Sequence, residues 1–541
     1  MAIIDLATTS ESTTVSADIC IVGGGPAGIT LAAELAKQGL QVLIIESGHL
    51  DREDAFTAGL NNVENIGEDR ILDQSKLRNR IFGGSSHSWS GRCTTFDDMD
   101  YDRRSWVAAS GWPITKHDVS PFIDRAAAYL GVNPATYDTS ILDRLRLSAD
   151  FDATKASAIR SIFWQFSRER APHHGFVRFG PRFLRNPIPN VSVTINATVT
   201  AIETSADGGH VTALSMKTPA GIVHSAVARM FILCAGGIEN PRLLLASNAQ
   251  DPRGIGNRKD LVGRYLMDHP RALIGTFPEG AQSRILPEFG VRSDRSGARF
   301  QRGLSLTPET QQREQLLNCA AWIVYDFAPD DIWSALRTAR RSGKLMPQVR
   351  LALRHADQLV AGAWSKYIRK RALPRRVGPI EFHLTLEQSP DADSRVTLSD
   401  RTDAHGVPLA TIDWKVSERE RRTAIFLGLS VNEALKTSGL PTTTLVDWVR
   451  DERPEDAVFF DVAHPTGTTR IGRSDDEGVV DSDCKVFGVD NLYVAGSSVF
   501  PTGSHANPTL MILALAIRLA DTLVARMDAP QVAAGVETVS A

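Results

Sequence analysis

Residues 17–28 read Ala-Asp-Ile-Cys-Ile-Val-Gly-Gly-Gly-Pro-Ala-Gly, so Gly23, Gly25 and Gly28 fall in G-x-G-x-x-G spacing directly behind the apolar run 19–22. That spacing serves one kind of chemistry. The first glycine makes a tight turn, the second lets backbone approach a pyrophosphate, and the third lets helix and strand pack closely. A helical stretch at 29–38 follows, Gly39 ends it, and the run 42–45 delivers Glu46, eighteen residues past Gly28. A helix N-terminus there offers unpaired N–H groups to phosphates, and the acid is placed for ribose hydroxyls. The motif predicts a dinucleotide site without separating FAD from NAD.

Two distant stretches must help to position such a cofactor. The run 228–233 ends in Cys234-Ala-Gly-Gly-Ile-Glu-Asn-Pro-Arg242, with a helical stretch at 243–247, and 491–497 reads Asn-Leu-Tyr-Val-Ala-Gly-Ser. Each reads as a parallel strand bringing a glycine-rich turn to the carboxyl edge of a sheet, which favours an extended flavin nucleotide. Strands so far apart predict a discontinuous cofactor domain. The stretch 191–199 and the stretch 395–398 alternate like half-buried strands.

Composition narrows the remaining classes. The 541 residues carry 60 Lys and Arg against 63 Asp and Glu, which excludes a global nucleic-acid footprint. Five scattered cysteines without C-x-x-C spacing argue against a disulfide framework, a zinc ribbon and attached c-type haem. Neither a His-Glu-x-x-His motif nor a cysteine cluster points to a metal, and no Gly-x-Ser-x-Gly elbow offers a hydrolase nucleophile. The first sixteen residues lack an export signal, and the longest apolar run, 510–517, is too short to span a bilayer. A cytoplasmic enzyme is expected.

Several further segments resemble the glucose–methanol–choline (GMC) flavoprotein oxidoreductases, in that family's order. They are Arg80-Ile-Phe-Gly-Gly-Ser-Ser-His-Ser-Trp-Ser-Gly91, the segment 257–270 ending Met-Asp-His-Pro, and 387–399 beginning Glu-Gln-Ser-Pro. The most specific are His464-Pro-Thr-Gly-Thr-Thr-Arg470 and 498–509, which closes on His505-Ala-Asn507-Pro508-Thr509. The pattern is closest to bacterial sugar-oxidising members and pyranose oxidases.

The resemblance implies an α/β chain, α+β overall. A discontinuous Rossmann-type FAD domain (14–95, 190–275 and 475–530) interleaves with a substrate domain (96–189 and 276–474) built on an antiparallel sheet with helices. Disordered tails are expected at 1–13 and 531–541. The cofactor contacts implied are Gly23, Gly25, Ala27, Gly28, Glu46, Ser47, Arg80, Gly83, Gly84, Ser85, Ser88, Val199, Ala235, Gly236, Gly496, Ser497, Asn507, Pro508 and Thr509. Relatives that attach FAD covalently carry histidine four positions after the second glycine of the Gly-Gly pair. Here that position is Ser88, with His87 one residue early, so non-covalent FAD is expected.

The implied reaction oxidises a CH–OH group of a sugar, glycoside or aminosugar to a carbonyl. His464 takes the hydroxyl proton, Asn507 holds the oxygen, and hydride passes to flavin N5, with oxygen or a quinone as final acceptor. Gln388 and His505 are candidate substrate contacts. Asn507 also reads as a helix N-cap with proline in the first turn. Alternative readings are an aliphatic, aromatic or steroid alcohol as substrate, or a flavin-binding protein without catalysis. The segment 333–376 holds twelve Lys and Arg and one acid, Asp357, in 44 residues. It reads as solvated surface, or as contact with an anionic membrane or an acidic partner.

Overall fold

The computed structural model describes residues 2–68, 70, 77–132, 137, 139–145, 147, 158–169, 175–328, 331–333, 360, 364 and 376–528. The strand expected before the glycine motif is Thr14–Val22, whose last four residues are buried. It pairs in parallel with Val42–Ile45 on one side and Val223–Leu233 on the other. Central parallel strands covered on both faces read as unbroken apolar runs, which is why the sequence located them. The full order is Ile3–Asp5, Val191–Ile195, Val42–Ile45, Thr14–Val22, Val223–Leu233, Val211–Lys217 and Thr198–Thr204, with Leu492–Val494 parallel to the end of Val223–Leu233.

Helix Pro26–Ala36 leaves this sheet at the glycine turn. A Cβ on Gly28 would lie 2.1 Å from the Gly23 carbonyl oxygen, so only glycine lets helix and strand approach this closely. The long helix Thr509–Asp528 packs against Pro26–Ala36 and against Lys116–Leu130. It buries Leu510, Leu513, Leu515, Ile517, Leu519 and Leu523 in the same core. Each fully buried leucine or isoleucine contributes about 1.5–3 kcal/mol.

A second sheet is antiparallel, ordered Thr444–Leu445, Arg271–Thr276, Val377–Leu386, Cys319–Phe327, Arg299–Leu306, Ile159–Phe166 and Arg92–Cys93, with Arg292–Ser293 beside Arg299–Leu306. Strand alternation gives it two faces. Ala272, Ile274, Leu304, Leu306, Ala321, Ile323, Phe382 and Leu384 pack with helix Glu418–Thr437. The opposite face carries Trp164, Trp322 and His383. A small third sheet joins Arg395–Thr402, Pro408–Asp413 and Val63–Asn65.

Four expectations need correction. The segment 1–13 is not a loose tail: Ile3–Asp5 pairs with Val191–Ile195 and Leu6 is buried, because the sheet edge supplies backbone partners. The stretch 191–199 is two strands rather than one, broken where Asn196 takes φ 53° and donates its amide to Asp5 Oδ1 at 2.8 Å. Arg92–Cys93 and the first five residues of Arg271–Thr276, assigned from sequence to the cofactor region, pair within the second sheet. Finally, the C-terminal helix begins at Thr509, with Ile512 N–H donating to the Pro508 carbonyl, so Asn507 stands before the helix rather than capping it. The expected tail 531–541 and nearly all of 333–376 lie outside the described residues.

Candidate active site

A cavity of about 400 Å³ lies at the carboxyl ends of the parallel strands, a size and place suited to a nucleotide cofactor. Its wall brings together Gly23, Gly25, Ala27, Glu46, Ser47, Arg80, Gly84, Ser85, Ser88, Val199, Ala235, Gly236, His464, Gly496, Ser497, Pro508 and Thr509. The glycines have the expected geometry. Gly23 turns at φ 106° against the Cys234 carbonyl, whereas a Cβ on Gly25, Gly236 or Gly496 would meet no protein atom within 4 Å. Gly25 also caps Pro26–Ala36 without a side-chain hydrogen bond, leaving the first-turn amides for a ligand. Gly28 and Gly83 stand behind the wall; Gly83 N–H donates to the Gly24 carbonyl at 2.7 Å.

Glu46 is buried at this wall. Its Oε2 accepts from Gly24 N–H at 3.0 Å and its Oε1 from Gly48 N–H at 2.8 Å. Burial raises its pKa against the pull of those two amides. Helix Gly236–Ala246 adds a group that sequence reasoning missed. Glu239 meets Arg78 at 2.9 Å, Arg80 at 3.0 Å and Arg242 at 3.0 Å, and Arg242 also meets Asp403 at 2.6 Å. Burial opposes the Glu239 charge, yet the three guanidiniums hold its carboxyl far below the usual range. The three guanidiniums are set among Glu239, Asp403 and Glu46 at this wall and offer N–H donors of the kind a pyrophosphate accepts from. The i,i+3 pair Glu239 and Arg242 just past the Gly-Gly turn was the available signal.

Ser88 lines the cavity, its hydroxyl donating to Asn79 Oδ1 at 2.7 Å. His87 is turned elsewhere, with Nε2 3.0 Å from the Phe82 carbonyl.

His464 stands at the cavity with a partner that sequence reasoning also missed, His269. Their Nδ1 atoms lie 2.9 Å apart, and His269 Nε2 lies 3.2 Å from the Gly503 carbonyl. These partners assign the tautomers. A carbonyl can only accept, so His269 carries its proton on Nε2 and presents a lone pair at Nδ1. His464 must therefore donate from Nδ1, which leaves its Nε2 as a basic nitrogen. The carboxylate of Asp268 braces both residues, accepting from His269 N–H at 2.7 Å and His464 N–H at 3.0 Å. Arg70 pairs with that carboxylate at 3.0 Å and with Asp461 at 3.1 Å. Burial pushes the Asp268 pKa up, but Arg70 and the two histidines outweigh it and keep the acid ionised. Burial and then neighbouring His269 lower His464 to about 4, with Asp268 opposing. His464 is thus neutral well below pH 7. The Asp-His-Pro triplet at 268–270, already in the segment that carries the resemblance, was the signal for this pair.

Three candidates lie off the cavity wall. Asn507 is half-buried, and its side chain makes no hydrogen bond among the described residues, so its amide is free. Gln388 is spent: Oε1 accepts from Asp268 N–H at 2.7 Å and from Trp414 Nε1–H at 2.7 Å, while Nε2 donates to the Lys415 carbonyl at 2.6 Å. Its expected substrate contact is corrected to bracing Asp268. His505 is buried, with Nδ1 3.0 Å from Asn318 Oδ1. Asn318 in turn donates to Asp97 at 3.0 Å and Asp100 at 2.8 Å. Burial pushes His505 to about 4.

Among the described residues, no group of three or more His, Cys, Asp or Glu is placed to hold a metal ion, and no helix is long and apolar enough to cross a membrane.

A Rossmann-type sheet with this glycine cradle, set beside an antiparallel sheet, suits a dinucleotide-dependent oxidoreductase. Residues 16–81 match an FAD binding domain, and residues 390–516 match the GMC oxidoreductase model. The chain is 24% identical to 2-methyl-1,2-propanediol dehydrogenase of Mycolicibacterium austroafricanum, over 94% of this chain and 96% of that one. It is 23% identical to 6'''-hydroxyparomomycin C oxidase of Streptomyces lividus, over 95% and 93%. Pyridoxine 4-oxidase from Mesorbium loti superimposes with TM-score 0.60 at 17% identity, covering 94% of this chain and 99% of that one. Together these matches make the chain an FAD-dependent oxidoreductase of CH–OH donors, with residues 390–516 similar to the GMC oxidoreductases.

Proposed function

We propose that His464 Nε2 is the base that takes the hydroxyl proton of a small polyhydroxylated alcohol, a sugar, glycoside or aminosugar, while the Asn507 amide holds the oxygen. FAD supplies the two-electron acceptor when bound. The glycine cradle, Glu46 and the arginines around Glu239 hold it, and oxygen or a quinone is the final acceptor. The observation that carries this reading is the histidine pair, whose hydrogen bonds leave Nε2 of His464 as the basic nitrogen. As that nitrogen gains a proton, the Asp268 carboxylate stabilises the imidazolium without accepting the proton itself. The Asn507 donor stabilises negative charge growing on the substrate oxygen. The aminoglycoside relative supports a sugar-like substrate, and the propanediol relative supports a second reading, a small aliphatic diol.

The test is anaerobic mixing of the yellow holoenzyme with sugars, glycosides, aminosugars and simple diols. Bleaching by polyhydroxylated rings ahead of the diols is expected. Bleaching by diols alone selects the second reading, and bleaching by no alcohol contradicts both.

Two expectations concern the cofactor. Acid precipitation should release all flavin into the supernatant, because Ser88 occupies the linking position and His87 is bound to a carbonyl; colour kept in the washed pellet would show a covalent bond. Glu46→Ala should weaken FAD binding to the apoprotein about 10- to 100-fold, since bonds to a charged acceptor contribute about 1.5–3 kcal/mol. Unchanged affinity by fluorescence titration would place the ribose elsewhere.

A further inference from the structure

The cofactor and the base leave unexplained a pair of arginines on the face of the antiparallel sheet that carries Trp164 and Trp322. The Cζ of Arg92 lies 4.9 Å from the Trp322 ring centroid, and that of Arg271 lies 5.2 Å from the same ring. Arg92 also stacks over Trp164 at 5.5 Å, and Arg271 over Phe460 at 5.4 Å. Neither guanidinium forms an ion pair with a carboxylate among the described residues. Arg92 donates one bond, to Gln301 Oε1 at 2.7 Å, and Arg271 Nε is buried without a partner. The neighbouring acid, Glu381, is engaged by His383 at 2.7 Å. Burial and the nearby Arg271 together push Arg92 down to about 9, so each cation feels the other.

Buried charges are ordinarily paired; here two partly buried cations share one tryptophan ring. Among the described residues the only acid acting on Arg271 is Glu381, already engaged by His383, so an anionic ligand would relieve them. Stacking on tryptophan orients a guanidinium while leaving its fork of N–H donors for a planar or tetrahedral oxyanion.

The pair also lies next to the histidines. Arg271 follows His269 by two residues and opens the strand Arg271–Thr276. Its backbone exchanges hydrogen bonds of 2.9 and 3.0 Å with Phe460, four residues before His464. On the other side, the Trp164 ring packs edge-on to Trp322 at 5.7 Å and to His505 at 6.5 Å.

We propose that Arg92 and Arg271 form an oxyanion subsite of the substrate pocket, so the alcohol this enzyme oxidises carries a carboxylate or a phosphate. The inference rests on His464 as the base and sharpens the substrate class, favouring an acidic sugar over an aminosugar. Carboxylate and phosphate share the chemistry that two guanidinium forks recognise.

The test uses the holoenzyme and four probes: D-glucose, D-gluconate, D-glucuronate and D-glucose 6-phosphate. Binding is read anaerobically from the perturbed spectrum of oxidised flavin, and turnover from its bleaching. At least one anionic probe should bind tenfold or more tightly than glucose, a preference that falls as potassium chloride is raised. Gluconate and glucuronate against the phosphate ester distinguish the two oxyanions. Arg92→Gln and Arg271→Gln should each shrink the preference at least threefold, and Arg271→Lys should retain part of it. Anionic probes that bind no more tightly than glucose to the wild type overturn the proposal, whatever the variants do, as does a preference that survives the double glutamine variant. Neutral glucose bleaching the flavin while the anions neither bind nor bleach would sink the subsite and spare His464. Tight anion binding without bleaching by any probe would spare the subsite and count against the base.

Discussion

His464→Ala is expected to slow flavin reduction by substrate about 10²- to 10⁴-fold, the usual contribution of a positioned general base. The variant should stay folded and yellow. His464 contributes a ring at the cavity wall, whereas the cradle is built on the strand and helix at 14–36 and on the turns at 234–237 and 496–497. The loss should be less than multiplicative with that of Asn507→Ala, because both side chains act on one oxygen in one transition state. Near-wild-type reduction by His464→Ala would remove the base assignment and make His505 the next candidate.

Asp268→Ala is expected to damage stability and catalysis together. The carboxylate is fully buried, pairs with Arg70, and accepts from the backbone N–H groups of Val462, His269 and His464. Removing one member of a buried pair costs about 3–5 kcal/mol, because it strands the other charge. Asp461, 3.1 Å from Arg70, softens that cost. A purely structural role would move only the denaturation midpoint. A positioning role also moves the histidine. Asp268 is the group that raises the His464 pKa against burial and His269, so its loss should shift the inflection of flavin reduction to still lower pH. Asp268→Asn, which keeps an acceptor oxygen, should recover part of the stability and little of the pH shift. An Asp268→Ala protein with wild-type stability and an unmoved inflection would contradict the bracing role.

The parts of this architecture legible in the sequence are those fixed by local rules. Gly23, Gly25 and Gly28 are read from spacing because each meets a steric demand within one turn, as the 2.1 Å approach at Gly28 shows. The strand Val42–Ile45 is apolar throughout because both its faces are covered. The contacts that sequence reading missed are made between residues far apart in the chain. His269 meets His464 across 195 positions, and Arg80 reaches Glu239 on a helix of a distant segment. No periodicity encodes such pairings. Gln388 shows the opposite failure: its residue type and place in a motif suggested a ligand contact, but every polar atom of its amide is consumed by Asp268, Trp414 and Lys415. Ile3–Asp5 was hidden because its partner strand, Val191–Ile195, lies far along the chain.

The pH dependence of anaerobic flavin reduction tests the central claim most directly. An unperturbed histidine base would give an inflection near its reference pKa of about 6.5. Burial and the His269 contact lower His464 to about 4, so the rate should rise with pH through that lower value and be flat above about pH 6. The sign follows from the proton: below the inflection His464 is an imidazolium with no lone pair at Nε2, and above it the neutral ring can accept. In His464→Ala the slower rate should show no such inflection. A wild-type inflection near 6.5, or one that persists unchanged in His464→Ala, would contradict the account.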